Sequence, residues 1–310
     1  MKYLVTGGAG FIGSNLVKLL ISKGLDVKVI DNFSTGYKKN LGNFDIEIID
    51  GDIRNKELVE KSTSDVDIIF HLAAHIGNVK SINNSIEDSD INVLGTLNIL
   101  EAARKNNVRK IVYSSSAAIF GELLTMPIDE KHPQNPDSPY GVSKLAAEKH
   151  ILCFGKLYDI ITVCLRYFNV YGVNQRYDAY GNVIPIFANN LFENKNITIF
   201  GDGTQTRDFV NVKDVAKANY LASQKAEESD VFNVGSGTEI TINELTVLVQ
   251  DASGIQTNIE YAPSRKGEVK HCRADISKIK NRFDFSPDPD IKSGLTEYFE
   301  WFKKDRGGKK

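Results

Sequence analysis

Met1-Lys2-Tyr3-Leu4-Val5-Thr6-Gly7-Gly8-Ala9-Gly10-Phe11-Ile12-Gly13 is the stretch on which the fold turns. Its first six residues read as a short buried strand, and the apolar periodicity that begins at Phe11 predicts a helix over residues 11–22. The glycines sit at the junction. Gly7 permits a tight turn, Gly10 lets backbone N–H groups approach a pyrophosphate, and Gly13 lets the helix pack on the strand, with the helix N-terminus facing the anion. A second strand is predicted over residues 26–30, and Asp31 ends it near the offset at which an acidic side chain accepts hydrogen bonds from an adenosine ribose. Strand, glycine turn, helix and acid together predict a dinucleotide site. Because a carboxylate at Asp31 repels a 2′-phosphate, the expected cofactor is NAD rather than NADP.

The chain has 310 residues, 41% hydrophobic and 25% charged, enough for one large core or two interleaved ones and unlike a disordered protein. A formal net charge of -2 gives no basic field for a nucleic acid or an anionic membrane, so any substrate charge has to be met locally. Three widely spaced cysteines, Cys153, Cys164 and Cys272, fit neither a disulfide framework nor a zinc site. The five histidines are dispersed, and no metal is expected. No charged segment with an apolar core precedes the first strand and no apolar run reaches membrane-spanning length, so a reducing cytoplasm is the expected location.

Strand-like runs over residues 46–49, 66–71, 109–114 and 160–167 alternate with amphipathic stretches. Such alternation predicts an α/β fold with a parallel, doubly wound sheet of the Rossmann type. Ligands in that architecture lie outside the carboxyl ends of the strands, where Asp52-Ile53, Leu72-Ala73-Ala74 and Ser114-Ser115-Ser116 fall. Beyond Phe168 the rhythm breaks into loop-rich sequence over 171–181, a helix over 184–193 and a strand over 197–200, predicting a smaller α/β substrate-binding lobe. A helix over 209–226 and a strand over 231–234 are expected to return to the sheet, after which 243–253, 275–282 and 291–302 finish the lobe. The expected division is residues 1–168, with return segments near 209–234, for the dinucleotide and residues 169–310 mainly for the substrate. Residues 305–310 read as a solvated tail.

Pro139-Tyr140-Gly141-Val142-Ser143-Lys144 opens a long helical pattern, and the four-residue spacing puts the Tyr and the Lys on one face. A free phenol loses its proton near pH 10, too high for a base at neutrality, so a neighbouring ammonium and a cationic nicotinamide would have to stabilise the phenolate. Each tenfold gain in phenolate takes about 1.4 kcal/mol, which one charge at contact supplies in water and exceeds in a partly buried cleft. The pair taken alone fits equally a Tyr and a Lys on an exposed helix; the glycine turn and the serine run weigh toward a joint role.

At this point the chain resembles the extended short-chain dehydrogenase/reductase family, and within it the nucleotide-sugar epimerases. The resemblance spans almost the whole chain and rests on the glycine turn, Asp31-Asn32, Gly51-Asp52, His71-Leu72-Ala73-Ala74, Asn92-Val93-Leu94-Gly95-Thr96, Ser114-Ser115-Ser116, Tyr140 with Lys144, and Leu165-Arg166-Tyr167-Phe168-Asn169. It implies that Tyr140 is the acid/base, that Lys144 holds the nicotinamide ribose and lowers the Tyr pKa, and that Ser116 hydrogen-bonds the reacting sugar oxygen. It places Gly7, Gly10, Phe11, Ile12, Asp31, Asn32, Asp52, Ile53, Leu72, Ala73, Ala74, Asn92 and Phe168 around the NAD. In the lobe, Asn169, Asn182 and Val183 match positions that hold the nucleotide, Phe200 the residue packed at the uracil, Arg207 and Arg265 the arginines on the diphosphate, and Glu268 the acid on the uridine ribose. Two guanidinium forks suit a diphosphate because each makes paired charge-assisted hydrogen bonds.

The resemblance also bears on the reaction. Dehydrating and decarboxylating relatives place an acid just after the catalytic Ser or Thr, whereas this chain has Ala117 and Ala118, so 4-epimerisation of a UDP-hexose through a 4-keto sugar is expected. Cys272, seven positions after Arg265, matches the residue beside the hexose C2 substituent; its small size predicts room for an N-acetyl group, hence UDP-GlcNAc/UDP-GalNAc as well as UDP-glucose/UDP-galactose. Alternatives are a UDP-glucuronate 4-epimerase, another nucleotide-sugar-modifying member, or a non-catalytic NAD-binding regulatory relative, which usually lacks the Tyr or the Lys. Homologues of this kind pair two helices into a homodimer, for which Ile86, Val93, Leu94, Leu97 and Leu100 and then Ala146, Ala147, Ile151 and Phe154 supply the apolar positions.

Overall fold

A computed structural model gives the fold and describes residues 1–175, 182–264 and 269–307. In the first half, β1 (Lys2–Thr6), β2 (Asp26–Asp31), β3 (Glu47–Asp50), β4 (Ile68–His71), β5 (Lys110–Ser116) and β6 (Ile161–Tyr167) alternate with α1 (Phe11–Ser22), α2 (Lys56–Ser62), α3 (Asn78–Asn83), α4 (Ser85–Ser89), α5 (Thr96–Lys105) and α6 (Pro139–Leu157). A π-helical segment, Asp90–Gly95, joins α4 to α5. After it come β7 (Asn169–Tyr171), α7 (Val183–Phe192), β8 (Ile197–Phe200), β9 (Thr206–Arg207), β10 (Phe209–Asn211), α8 (Val212–Lys225), β11 (Asp230–Val234), β12 (Ile240–Thr241), α9 (Ile242–Ser253), β13 (Ile259–Ala262), α10 (Ser277–Phe283) and α11 (Ile291–Gly307).

Seven strands in the order β11-β6-β5-β4-β1-β2-β3 form a parallel sheet, the doubly wound architecture that the alternation predicts. Successive side chains of each strand go to opposite faces. Val5, Phe70, Val112 and Val163 pack with α1, α8 and α10, while Leu4, Ile69, Ile111 and Cys164 pack with α2, α5 and α6. Leu16, Val17 and Leu20 of α1 lie in one cluster with Val215, Ala218 and Ala222 of α8. A separate core, with Phe187, Leu191, Leu245, Val249, Tyr298 and Phe302, holds α7, α9 and α11 together. Six of the short strands pair outside the main sheet: β10 with β7 and β13 with β8 in parallel, and β12 with β9 antiparallel.

Three expectations change. The predicted helix over 209–226 begins only at Val212, because residues 209–211 are drawn into pairing with β7 and the Asn211 side chain accepts the Lys213 N–H, capping α8 there. Asp305 and Arg306 belong to α11 instead of a tail: Lys39 pairs with Asp305, and Arg306 donates to Asn189 at 3.0 Å and Glu193 at 3.3 Å. Of the apolar positions counted toward a dimer, Leu100, Ala147, Ile151 and Phe154 are used up against the sheet, whereas Ile86 is 83% and Leu94 53% exposed.

Candidate active site

The sheet changes direction between β1 and β4, and a crevice opens outside their carboxyl ends. Gly7 has φ +67°, and a Cβ there would stand 2.8 Å from the Ala73 nitrogen; a Cβ at Gly13 would stand 2.1 Å from the Gly7 carbonyl oxygen. Gly10 is the N-cap of α1 and makes no side-chain cap, so Phe11 and Ile12 open a helix terminus that faces the crevice with main chain alone. On the far side, the Leu72 and Ala73 N–H groups both donate to Thr6 Oγ1 at 3.1 Å, fixing the exit of β4 that continues into Ala74. Asp31, the last residue of β2, accepts from the Ala9 N–H at 2.9 Å and the Phe33 N–H at 2.8 Å, and burial raises its carboxyl above the usual range. Asn32 donates to Asp52 at 2.9 Å. Arg54 grips Asp52 and holds its carboxyl down to about 2, while its other nitrogen reaches Asp90 at 3.0 Å. Ile53 lies against Gly95 of the π segment.

That π segment carries Asn92, which is buried. Its Oδ1 accepts the His75 N–H at 2.8 Å, and its amide donates to the His75 carbonyl at 3.1 Å and to Ser143 Oγ at 3.0 Å. Ser143 also donates to Asp88, whose other oxygen meets His75 Nδ1 at 2.9 Å. The turn around Asn92 is thereby pinned to the residue next to Lys144.

Ser138 caps α6 by accepting the Gly141 N–H at 3.2 Å, with Pro139 in the first turn, and the Tyr140 N–H donates to Ser81 Oγ at 3.1 Å. Burial pushes the Tyr140 phenol up to about 12, and the nearby Ser116 hydroxyl pulls the other way. Lys144, also buried, has its ammonium pushed down to about 7 by burial, opposed by the Asp88 carboxylate, and its Nζ stands 4.4 Å from the centroid of the Tyr113 ring. Taking the two groups out of water favours the neutral form of each. Beneath them, Glu148 and Arg166 form a fully buried pair, Nη2 to Oε1 at 2.6 Å and Nε to Oε2 at 3.1 Å. The same Oε2 accepts Ser115 Oγ at 2.6 Å, and Arg166 Nη1 donates to the Glu130 carbonyl at 2.9 Å.

On the lobe side, Phe168 is buried against Phe120 at 6.4 Å between centroids, and Cys272 packs on the same cluster, its thiol pushed up to about 12 by burial. Asn169 donates from its amide to the Asp208 carbonyl at 3.0 Å. Arg207 ends β9 with Nη1 held by the carbonyls of Thr206 at 2.7 Å and Val269 at 2.8 Å. Phe200 ends β8, Asn182 is the N-cap of α7 and Val183 its first residue. Arg265 and Glu268 lie outside the described residues. Ser116, Tyr140 and Lys144 are thus brought together, as are Asp31, Asn32 and Asp52, and, through Asp208, Asn169, Arg207 and Cys272.

The profile of the NAD dependent epimerase/dehydratase family matches residues 3–235. The chain belongs to that family. A protein of Methanocaldococcus jannaschii, provisionally named UDP-glucose 4-epimerase, is 44% identical over 304 residues, covering 97% of this chain and 98% of its own. The UDP-glucose 4-epimerase of Thermotoga maritima, solved with UDP-glucose, superposes with a TM-score of 0.94 at 36% identity over 99% of this chain and 100% of that one. The UDP-N-acetylglucosamine 4-epimerase of Methanobrevibacter ruminantium M1, solved with UDP-N-acetylmuramic acid, gives a TM-score of 0.94 at 36% identity over 98% of both chains.

NAD is the cofactor of the epimerase/dehydratase family, and this chain's cradle fits it: at Gly7 and Gly13 the main chain leaves no room for a side chain, and a carboxylate stands at the end of the next strand. Among the described residues, no three His, Cys, Asp or Glu side chains gather as a metal site, and no helix is long and apolar enough to cross a membrane. The stretches that carry the resemblance do not include Arg54, Asp88, Glu148 or Asp208. Glu148 carries a weak signal, lying one helical turn beyond Lys144 on the same face; Arg54 and Asp208 join partners that are distant in the chain and give none.

Proposed function

We propose that the protein is a UDP-hexose 4-epimerase, interconverting UDP-glucose with UDP-galactose and UDP-GlcNAc with UDP-GalNAc. The observation that carries this reading is the Ser116 hydroxyl beside the Tyr140 phenol, one turn from a buried Lys144, with the neutral Ala117 and Ala118 following Ser116 where a dehydratase needs an acid. Tyr140 takes the proton of the sugar's 4-hydroxyl and gives it back to the same oxygen after the sugar has turned. Ser116 holds that oxygen beside the phenol, and Lys144 holds the nicotinamide ribose and faces the developing phenolate. A bound NAD would supply reversible hydride acceptance at the sugar C4, with no net redox change over the cycle. Asp31 and Asn32 hold the adenosine end, Gly7, Gly10, Phe11 and Ile12 the pyrophosphate. Arg207 and Arg265 clamp the sugar-nucleotide diphosphate, with Asn169, Asn182, Val183, Phe200 and Glu268 on the nucleotide and Cys272 beside the C2 substituent.

In this reading residues 1–168 with the return segments near 209–234 serve the cofactor and the rest mainly the sugar nucleotide. The enzyme works in the cytoplasm, which its three unpaired cysteines suit, and forms a homodimer through the face carrying Ile86 and Leu94. The deciding experiment incubates the purified protein with UDP-glucose, UDP-galactose, their N-acetylated counterparts and UDP-glucuronate, with no cofactor added. Interconversion within the first two pairs, by NAD that co-purifies, is expected. Absence of conversion with any UDP-sugar would overturn the reading, and Cys272→Tyr is expected to lose the N-acetylated pair alone.

A further inference from the structure

The substrate half of the site is gathered on one buried carboxylate. Asp208 is fully buried. Its Oδ1 accepts the Ser236 N–H and the Ser236 hydroxyl, both at 2.7 Å, and its Oδ2 accepts the Gly237 N–H at 3.1 Å and the Ala274 N–H at 3.0 Å. Its main-chain carbonyl accepts the Asn169 N–H at 3.2 Å and the Asn169 amide at 3.0 Å. Cys272 lies two residues before Ala274, whose N–H the carboxylate holds, and Arg207 immediately precedes Asp208. All four donors to the carboxylate are neutral. Burying a charged group is costly, and it is tolerated where every lone pair has a donor. What the four hydrogen bonds secure is relative position: the turn after β11, the segment that carries Cys272 and the junction of β9 with β10 all meet at these two oxygens.

We propose that Asp208 is a positioning residue that sets Arg207, Asn169 and Cys272 relative to one another, and with them the affinity for a nucleoside-diphosphate sugar that it does not itself touch. The inference rests on the reading of the lobe as the UDP-sugar site. An amide in place of the carboxylate offers one acceptor oxygen and turns an NH2 toward two backbone or hydroxyl donors, so hydrogen bonds on one side are lost and the segments they tie drift apart. Binding groups need to be held within a fraction of an ångström, and such drift weakens ground state and transition state alike.

The test uses the protein as purified with its NAD. Asp208→Asn is expected to raise KM for UDP-glucose and the calorimetric Kd for UDP by about tenfold or more, with kcat within about threefold of wild type and NAD content unchanged. Ser236→Ala, which removes a single donor, should shift the same two constants in the same direction by about threefold. A purely structural carboxylate would lower the melting temperature and leave both constants alone; unchanged KM and Kd, or a loss confined to kcat, overturns the inference. If Asp208→Asn does not fold, Ser236→Ala decides by itself on the same criterion. A wild-type protein that binds UDP yet converts no UDP-sugar would overturn the proposed reaction while the UDP measurement still decides on Asp208; one that does not bind UDP overturns both.

Discussion

Between Gly7 and Gly13 the site is made of main chain, with a helix terminus that no side chain caps and neighbours so close that a single added carbon has nowhere to go. Around Asp208 it is made of side chains, whose hydrogen bonds hold three separate segments in place. The difference sets what each half tolerates. The cradle is vulnerable to added volume, because main chain cannot rotate out of the way, whereas the lobe is vulnerable to a lost acceptor, because three segments meet through hydrogen bonds at one carboxylate. Tyr140 stands between the two, and the buried Glu148–Arg166 pair lies under it.

The largest effect should come where the halves meet. Tyr140→Phe keeps the volume and removes the proton carrier, so kcat is expected to fall by a factor of about a hundred to ten thousand with KM within about threefold, measured by steady-state turnover of UDP-galactose. A variant with near-normal turnover would remove Tyr140 from the chemistry. Next comes the seam beneath it. Glu148→Gln leaves the Arg166 guanidinium buried without its counter-charge, an expected loss of about 3–5 kcal/mol in urea unfolding, much of which Glu148→Met with Arg166→Met should restore. A single variant as stable as wild type would show that the pair is not the anchor described.

Smaller effects sharpen the contrast. Gly13→Ala brings a Cβ to 2.1 Å from the Gly7 carbonyl oxygen and 2.8 Å from the Gly8 Cα. The turn must shift, and about 1–3 kcal/mol of overpacking predicts roughly a ten- to hundredfold loss of NAD affinity, read from the NAD content of purified protein, with UDP binding unchanged. His71 and Asp208 should also answer acid with opposite signs. His71, buried between Thr6 Oγ1 at 2.8 Å and Thr96 Oγ1 at 2.9 Å, is pushed by burial from 6.5 down to about 3. Between those values the unfolded chain takes up a proton that the folded chain refuses, so this group's contribution falls as pH is lowered, by at most about 1.4 kcal/mol per pH unit. Asp208, raised above 3.8 by burial, keeps its proton in the folded state where the unfolded chain has lost it, so its contribution falls as pH rises through that window. His71→Gln should therefore flatten the acid limb of a stability–pH curve and Asp208→Asn should steepen it; equal slopes in all three proteins would refute both assignments.

The same contrast explains what the sequence discloses. Main-chain function demands glycine, and glycines at fixed spacing between a strand and a helix are visible without any structure, so the cradle, Asp31 and the alternation of strands and helices up to β6 can be inferred from the chain itself. Ser116, Tyr140 and Lys144 become legible through the family resemblance. Asp208 does not, because three of its four carboxylate hydrogen bonds come from backbone N–H groups at Ser236, Gly237 and Ala274, which any residue there would supply. Nor does the rise of the Tyr140 phenol, which depends on how thoroughly the fold excludes water. Residues 209–211 mislead for a related reason: their pairing with β7 overrides a helical pattern that is local. Of the dimer positions, Leu100, Ala147, Ile151 and Phe154 go to the sheet while Ile86 and Leu94 stay exposed, because apolar spacing tells which residues need cover without telling what covers them.

The packing of α1 against α8, and of β11 alongside β6, bears on how this molecule could be divided. A chain ended after Phe168 would keep every glycine of the cradle, yet Leu16, Val17 and Leu20 would face water and β6 would become a bare edge with unpaired main chain. Such a fragment is a template for aggregation, and grafting it onto another protein would not transplant a cofactor module. The first helix of the chain waits on a helix laid down some two hundred residues later, so translation has to run through α8 and β11 before the opening of the sequence has a place to rest.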